Sequence, residues 1–237
     1  MDVDKVLEIT PDISFYNNTI KYYVNRNDYG VSGILKLGKL WEPFMIDIFK
    51  TYIKENTYAL DIGANIGAHT VVISKLFPNN KIIAFEPVKW EFNILEMNLK
   101  LNNIINCQTY NVGLGSKSHH MYTSDNVMRI EKSSNFGAFT LKERKESDLC
   151  EIVDIVTLDS YKLNNISFMK IDVETHEIEV LKGALETIKL CKPTMIIEID
   201  PRFADKFFEF FDDNLSNIGY KYKLVSKHHD YLFTIDQ

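Results

Sequence analysis

The sequence predicts an α/β fold, a three-layer sandwich in which a mostly parallel sheet is covered by helices on both faces. Three observations carry this expectation. From about residue 57 onward, short apolar runs alternate with amphipathic stretches, the pattern of strands joined by crossover helices. Gly63 and Gly67 follow directly on the first apolar run, where a parallel sheet needs a sharp strand-to-helix turn. The chain has 237 residues, 45% of them apolar, with no repeat, low-complexity tract or Pro/Gly/Ser-rich linker, which suits one large domain.

In chain order, residues 1–56 are irregular and read as an N-terminal cap, with a loop at 39–43 and a helix at 44–53 packed near the core. Residues 57–237 form the main domain. Strands are expected at 58–62, 81–85 and 107–112, with helices at 66–77 and 88–101 between them. In the second helix Trp90, Ile94, Met97 and Leu101 are spaced four, three and four apart and should share the buried face. Pro78-Asn79-Asn80 and Asn102-Asn103 supply the stops. Residues 113–150 break the rhythm with Ser, His, Lys and Glu and read as an irregular insertion. Short strands follow at 152–158 and 167–173. A helix is expected over 177–190, with Ile178, Leu181, Leu185 and Ile188 on one face and Cys191-Lys192-Pro193 ending it. A strand at 194–199, a Phe-rich helix at 204–218 and an antiparallel hairpin of 220–225 with 231–235 complete the chain.

Composition excludes several functions. Twenty-seven Lys and Arg against 33 Asp and Glu leave a formal charge of −6, so no bulk positive field draws in nucleic acid or anionic membranes. The start is acidic, without a secretory layout, and no apolar run approaches the roughly 20 residues of a membrane span, so a cytoplasmic protein is expected. Cys107, Cys150 and Cys191 are odd in number and scattered, which argues against a disulfide framework or a thiolate metal site. His119-His120 and His228-His229 resemble metal ligands by residue type alone, because neighbouring strand residues face opposite ways. No metal site is predicted.

The chemistry is concentrated in two places. Leu60 to Gly67 ends a strand, turns on glycines and opens a helix whose free N–H groups suit an anionic group. Nineteen residues after Gly67 comes Glu86, at the end of the second strand, where a carboxylate can accept hydrogen bonds from both hydroxyls of a ribose. Turn and acid in this order describe a nucleoside pocket. A dinucleotide site would want a third glycine and no carboxylate before the turn. Asp61 instead suits a cationic amino-acid moiety, and S-adenosyl-L-methionine fits that charge pattern better than a pyrophosphate.

With LDIGANIGAHT at 60–70, IIAFEP at 82–87, SNFGAFTL at 134–141 and FMKIDVETHEIEVLKGA at 168–184, the chain resembles the FkbM-type S-adenosylmethionine-dependent methyltransferases. The resemblance covers about residues 58–200. It implies a Rossmann-like class I methyltransferase sheet of seven strands with a reversed C-terminal hairpin, and methyl transfer to a hydroxyl of a sugar or other small molecule. Carried over by position, it implies that Asp61, Gly63, Asn65 and Gly67 line the methionine end of the cofactor and Glu86 its ribose. His69 and Thr70, in the first helical turn, join this set. Thr175 stands where the family usually has glycine.

A hydroxyl acceptor needs a base within hydrogen-bond reach. Asp172, Glu174, His176 and Glu177 cluster where the fourth strand meets its helix, and strand alternation would point Asp172 and Glu174 the same way. Asp172, Glu174 and His176 are therefore the catalytic candidates, with Asp172 also near the cofactor. Helix capping is the competing reading for Glu174 and Glu177. Asn111, closing the third strand, is placed at the adenine edge. Asn135 and Phe136-Gly137 are candidates to cover the acceptor, with Trp41-Glu42-Pro43 as the opposite wall. Two other functions remain open. An RNA ribose 2′-O-methyltransferase would draw on Lys39, Asp172, Lys182 or Lys192, and Glu198; a cofactor-binding scaffold whose catalysis has lapsed would need none of them.

Overall fold

A computed structural model describes residues 6–124, 134–135, 140–148 and 150–235; Phe136 and Gly137 lie outside them. The cap holds two short hairpins, β1 (Leu7–Ile9) with β4 (Tyr23–Asn25) and, between them, β2 (Ile13–Phe15) with β3 (Asn18–Ile20), followed by α1 (Val31–Lys36) and α2 (Met45–Tyr52). The main domain continues with β5 (Tyr58–Ile62), α3 (Ala68–Leu76), β6 (Lys81–Phe85), α4 (Lys89–Leu101) and β7 (Cys107–Tyr110). The insertion contributes β8 (Gly113–Leu114) and β9 (His119–Tyr122), which sandwich β10 (Ile152–Val156) in a small separate sheet. Then come β11 (Ile166–Ile171), α5 (Glu177–Lys182), α6 (Leu185–Cys191), β12 (Thr194–Glu198), α7 (Ala204–Asn214), β13 (Tyr220–Leu224) and β14 (Asp230–Ile235).

The main sheet has seven strands in the order β7-β6-β5-β11-β12-β14-β13, parallel except for β14, which runs antiparallel to both neighbours. Its strands alternate between two faces. Ala59, Ile82, Ala84, Phe168 and Ile196 pack with α2, α3 and α4, and Leu60, Ile83, Met169, Met195 and Phe233 pack with the helices of the other face. Both faces are covered, so the central strands read as continuous apolar runs. The chain builds outward from β5 to β7 and then returns to place β11 on the other side of β5. The switch between β5 and β11 opens a crevice at their carboxyl ends.

The cap shares the core of the sheet. Phe49 of α2 stands edge-on to Phe168 of β11, with ring centroids 5.6 Å apart, and the Tyr22 hydroxyl donates to the Ala68 carbonyl at 2.9 Å. Asn98 of α4 and Asn102, the residue that caps the end of that helix, tie it down. Asn98 accepts from the Tyr23 N–H at 2.6 Å and donates to its carbonyl at 3.1 Å, while Asn102 does the same for Lys21 at 3.1 and 2.7 Å. Four helical residues rise about 6 Å and two extended ones about 6.6 Å, so the two ladders match.

This pairing displaces one expectation. The buried face of α4 runs through Trp90, Glu91, Ile94, Leu95, Asn98 and Leu99, while Met97 and Leu101 are only half-buried. Polar groups with dedicated partners have rotated the face by one residue. The helix expected over 177–190 is likewise two helices. A Cβ on Gly183 would lie 1.9 Å from the Gly115 carbonyl oxygen, and Asp159 accepts from the Glu186 and Thr187 N–H groups, starting α6 afresh. Among the described residues, no helix is long and apolar enough to cross a membrane.

Candidate active site

Above the crevice lies a cavity of about 970 Å³, walled by the glycine turn, the ends of β6 and β11, and the loop at 38–44 of the cap. That volume is at the top of the range of roughly 300–1,000 Å³ for small-molecule sites. Gly63 bends β5 with a φ of +82°, and a Cβ there would sit 1.8 Å from the Asp172 carbonyl oxygen. Glycine is required because β11 passes so close. Asn65 is also left-handed, and Gly67, with a φ of +86°, caps α3 where a Cβ would meet the Leu95 side chain at 2.6 Å.

Glu86 faces this turn and is almost fully buried. One oxygen accepts from the Asn65 N–H at 2.7 Å and the other from the Val88 N–H at 2.8 Å, which locks the carboxyl beside the turn. Burial pushes it up to about 7 despite these donors. Glu91, from the first turn of α4, is hydrogen-bonded to Glu86, and burial together with that neighbour holds it well above the ordinary carboxylate range. Its Oε1 has no hydrogen-bond partner among the described residues, and the side chain is part of the cavity wall. Sequence reasoning missed Glu91, because an acid in a first helical turn is indistinguishable from ordinary dipole compensation.

Of the expected cofactor set, Gly63, Asn65, His69, Glu86 and Asp172 reach the cavity wall, and Asp61, Gly67, Thr70 and Asn111 do not. Asp61 points to the α3 face, where it accepts from the Thr70 hydroxyl at 2.6 Å and lies 3.8 Å from the Lys170 ammonium. Burial raises its pKa, with Lys170 and Thr70 opposing. Asn111 donates to the Glu86 and Pro87 carbonyls at 2.9 and 3.0 Å and so closes the strand end. The residue that mediates between Asp61 and the cavity is Lys170. It pairs with Asp61 across β5 and β11 and reaches Asp172 at 3.0 Å. Burial disfavours its charge, but Asp172, Asp61 and Glu42 hold its pKa above the usual lysine value. Lys170 sits in the quoted FMKIDVE motif, yet inside an apolar strand run nothing in the sequence marked it.

The cavity wall beyond the end of β11 is acidic. Strand β11 stops at Ile171, so alternation does not align Asp172 with Glu174; Lys170 shares that side instead. Burial works against ionised Asp172, but Lys170 and a hydrogen bond with Glu198 hold it below its ordinary range. Glu198 is pushed up to about 10 by burial and by Asp172 alongside. Glu174 is pushed up to about 7 by burial, Asp172 and Glu177. The His176 imidazole is on the cavity wall with Nε2 unpartnered among the described residues, and burial lowers its pKa. Glu177 accepts from the Thr175 N–H at 3.0 Å, a capping role. Asn135, Lys39 and Glu42 also reach the wall, whereas Lys182 and Lys192 are exposed and away from it. Among the described residues, no group of three or more His, Cys, Asp or Glu is arranged to hold a metal ion.

Glu174 and Thr175 have φ values of +51° and +77°. A β-branched residue in the left-handed region is strained. Thr175 is exposed, so its replacement removes little packing. Thr175→Gly is expected to raise the unfolding free energy by about 1 kcal/mol, a strain of roughly 1–3 kcal/mol less glycine's entropic cost of about 0.5–1 kcal/mol. Urea titration checks this, and a destabilised variant would show that the turn is not strained.

A family model described as the Methyltransferase FkbM domain matches residues 61–222. The chain is similar to "Methyltransferase 1" of Beauveria bassiana, 26% identical over 150 residues, covering 54% of this chain and 59% of that protein. It is also similar to "Hexuronic acid methyltransferase AglP" of Haloferax volcanii, 27% identical over 172 residues, covering 70% of this chain and 66% of that protein. The chain thus spans about three-fifths of the length of these relatives. A crystal structure of methyltransferase FkbM from Methylobacillus flagellatus shares the fold at a TM-score of 0.52 and 14% identity, covering 79% of this chain and 50% of that one.

Proposed function

The chain belongs to the FkbM methyltransferase family, and from that premise we propose that it transfers a methyl group from S-adenosyl-L-methionine to a hydroxyl of a small molecule or sugar. The carrying observation is the cavity at the sheet's switch point, walled by the Gly63 turn and, beside it, by Glu86, fixed by two backbone N–H groups. The residues present fit a nucleoside: Glu86 keeps acceptor capacity for hydroxyls, Gly63 leaves no Cβ in the way, and Glu91 adds a buried, unpartnered oxygen. When bound, the cofactor supplies a methyl carbon on a positively charged sulfur, open to in-line displacement.

The chain's own residues do the rest. Gly63, Asn65 and Glu86 bind and orient the nucleoside. Leu40, Trp41 and Phe44 of the cap wall the cavity and exclude water. Glu174, on the wall with its carboxyl near neutrality, takes the acceptor's proton. Asp172, held ionised by Lys170, is the weaker base and serves to shape the charge of the site. The name of the Haloferax relative supports a sugar acceptor. Carboxylates at the acceptor end and the net charge of −6 disfavour an RNA backbone, which would also find Lys182 paired with Glu179 rather than facing the cavity.

Calorimetric titration with S-adenosylhomocysteine tests the cofactor half. Glu86→Ala is expected to weaken binding about 10–100-fold, as for loss of a charged hydrogen-bond acceptor; unaltered affinity removes Glu86 from the nucleoside site. Labelled-methyl incorporation into a panel of sugars and RNA decides the acceptor half.

A further inference from the structure

The cationic end of the cofactor has lost the partner that the sequence assigned to it. Asp61 lies behind the cavity wall, engaged by Thr70 and Lys170. Asp172 is on the wall but already paired with Lys170 at 3.0 Å. Beside the first turn of α3, the carboxylate on the wall is Glu42, contributed by the cap. Its Oε2 lies 3.5 Å from His69 Nε2, its side chain is 14% exposed, and its backbone is left-handed with a φ of +43°. The cap therefore holds a non-glycine residue in a strained conformation to place this carboxyl inside the cavity.

Glu42 is short of positive charge. His69, its nearest ionisable partner, is kept neutral, pushed down to about 3 by burial and Lys170. Lys170 is shared with Asp172 and Asp61. Burial, Asp230 and Asp172 push Glu42 up to about 7, against the pull of Lys170 and a hydrogen bond from Trp41. A buried carboxyl in this setting is relieved by a cation arriving from the cavity.

We propose that Glu42 binds the ammonium group at the amino-acid end of the cofactor, so that the cap completes the cofactor pocket. This rests on the cofactor reading above and deepens it. Glu42 replaces Asp61 as the direct partner of the cationic end, and Asp61 acts at one remove, by holding Lys170.

The test compares two ligands in calorimetry: S-adenosylhomocysteine, and 5′-methylthioadenosine, which has the nucleoside and sulfur without the amino acid. In Glu42→Gln, affinity for S-adenosylhomocysteine is expected to fall about 10–100-fold, while that for methylthioadenosine changes less than about twofold. The second ligand also reports that the variant is folded. Between pH 6 and 8 wild-type affinity for S-adenosylhomocysteine should rise more steeply than that for methylthioadenosine, which reports the Glu86 titration common to both ligands, as Glu42 ionises in the field of Asp230, Asp172, Lys170 and His69; this excess should vanish in Glu42→Gln. Equal losses for both ligands, or no loss for either, overturn the assignment, as does normal binding with lost turnover. If the wild-type protein binds neither ligand, the cofactor reading itself falls, and this proposal with it.

Discussion

Replacing Glu174 with Gln is expected to lower kcat by about 10²–10⁴-fold, the usual contribution of a positioned general base, while S-adenosylhomocysteine affinity stays within about twofold. Gln preserves size and tolerates the same backbone, so the change isolates proton uptake. Burial first, then Asp172, Glu177 and Asp200, push the Glu174 carboxyl up to about 7, with Lys170 opposing. Below that pH the group is protonated and unable to accept; above it the carboxylate is present and basic enough to act. kcat/KM of the wild-type protein should therefore rise with pH toward about 7 and level off, and the Gln variant should lose this limb along with its rate. Cofactor is held saturating at each pH, so that Glu42 and Glu86, which titrate in the same range and act on cofactor binding, do not contribute to this limb. Full turnover by Glu174→Gln, or an unchanged acidic limb, would assign the base elsewhere on the wall.

Lys170→Met should produce the largest loss of stability, about 3–5 kcal/mol, as when one partner of a buried ion pair is removed. For a chain of this size that corresponds to a melting temperature lower by roughly 10 °C. Lys170 is almost fully buried at the switch point, 3.0 Å from Asp172 and 3.8 Å from Asp61. Met fills a similar volume but leaves two carboxylates with no cation between them. The sign of the pH dependence follows. Lys170 lowers the pKa of Asp172 in the folded protein, and that contribution is present above the unfolded value and lost as pH falls through the folded one. The gap between wild type and Lys170→Met should accordingly be widest near neutral pH and narrow on acidification, as the abandoned carboxyls protonate. Denaturant titrations at pH 7.5 and 5 measure this. A loss below about 1 kcal/mol at pH 7.5 would show that the network carries no net stability.

The lysine also shows where sequence reasoning reached its limit. Local signals located the strand at its position and even the motif around it, but a charged side chain in an apolar strand is interpretable only once its cross-strand neighbour is known. That neighbour, Asp61, lies more than a hundred positions earlier in the chain and is set opposite Lys170 by strand register. Glu42 and His69 meet for the same reason, through the packing of α2 on α3. Glu91 was hidden differently: its spacing after Glu86 is visible, but its burial against that residue depends on which face α4 turns inward, and this was decided by Asn98 and Asn102 gripping the cap. Gly183 lies inside the single helix expected over 177–190, whereas the Gly115 backbone pressing on it ends that helix at Lys182.

By itself, the sequence determined the properties that depend on neighbours along the chain: the alternation of strands and helices, the glycine turn at Gly63, the acid closing the next strand at Glu86, the reversed hairpin and the family. Tertiary structure alone decided which carboxylates reach the cavity and which stand behind it, the shared charge of Lys170, and the entry of Glu42 from the cap. Hydrophobic period and turn chemistry are short-range and survive in a string of letters. Burial and charge pairing depend on distances between residues that only the folded sheet brings together.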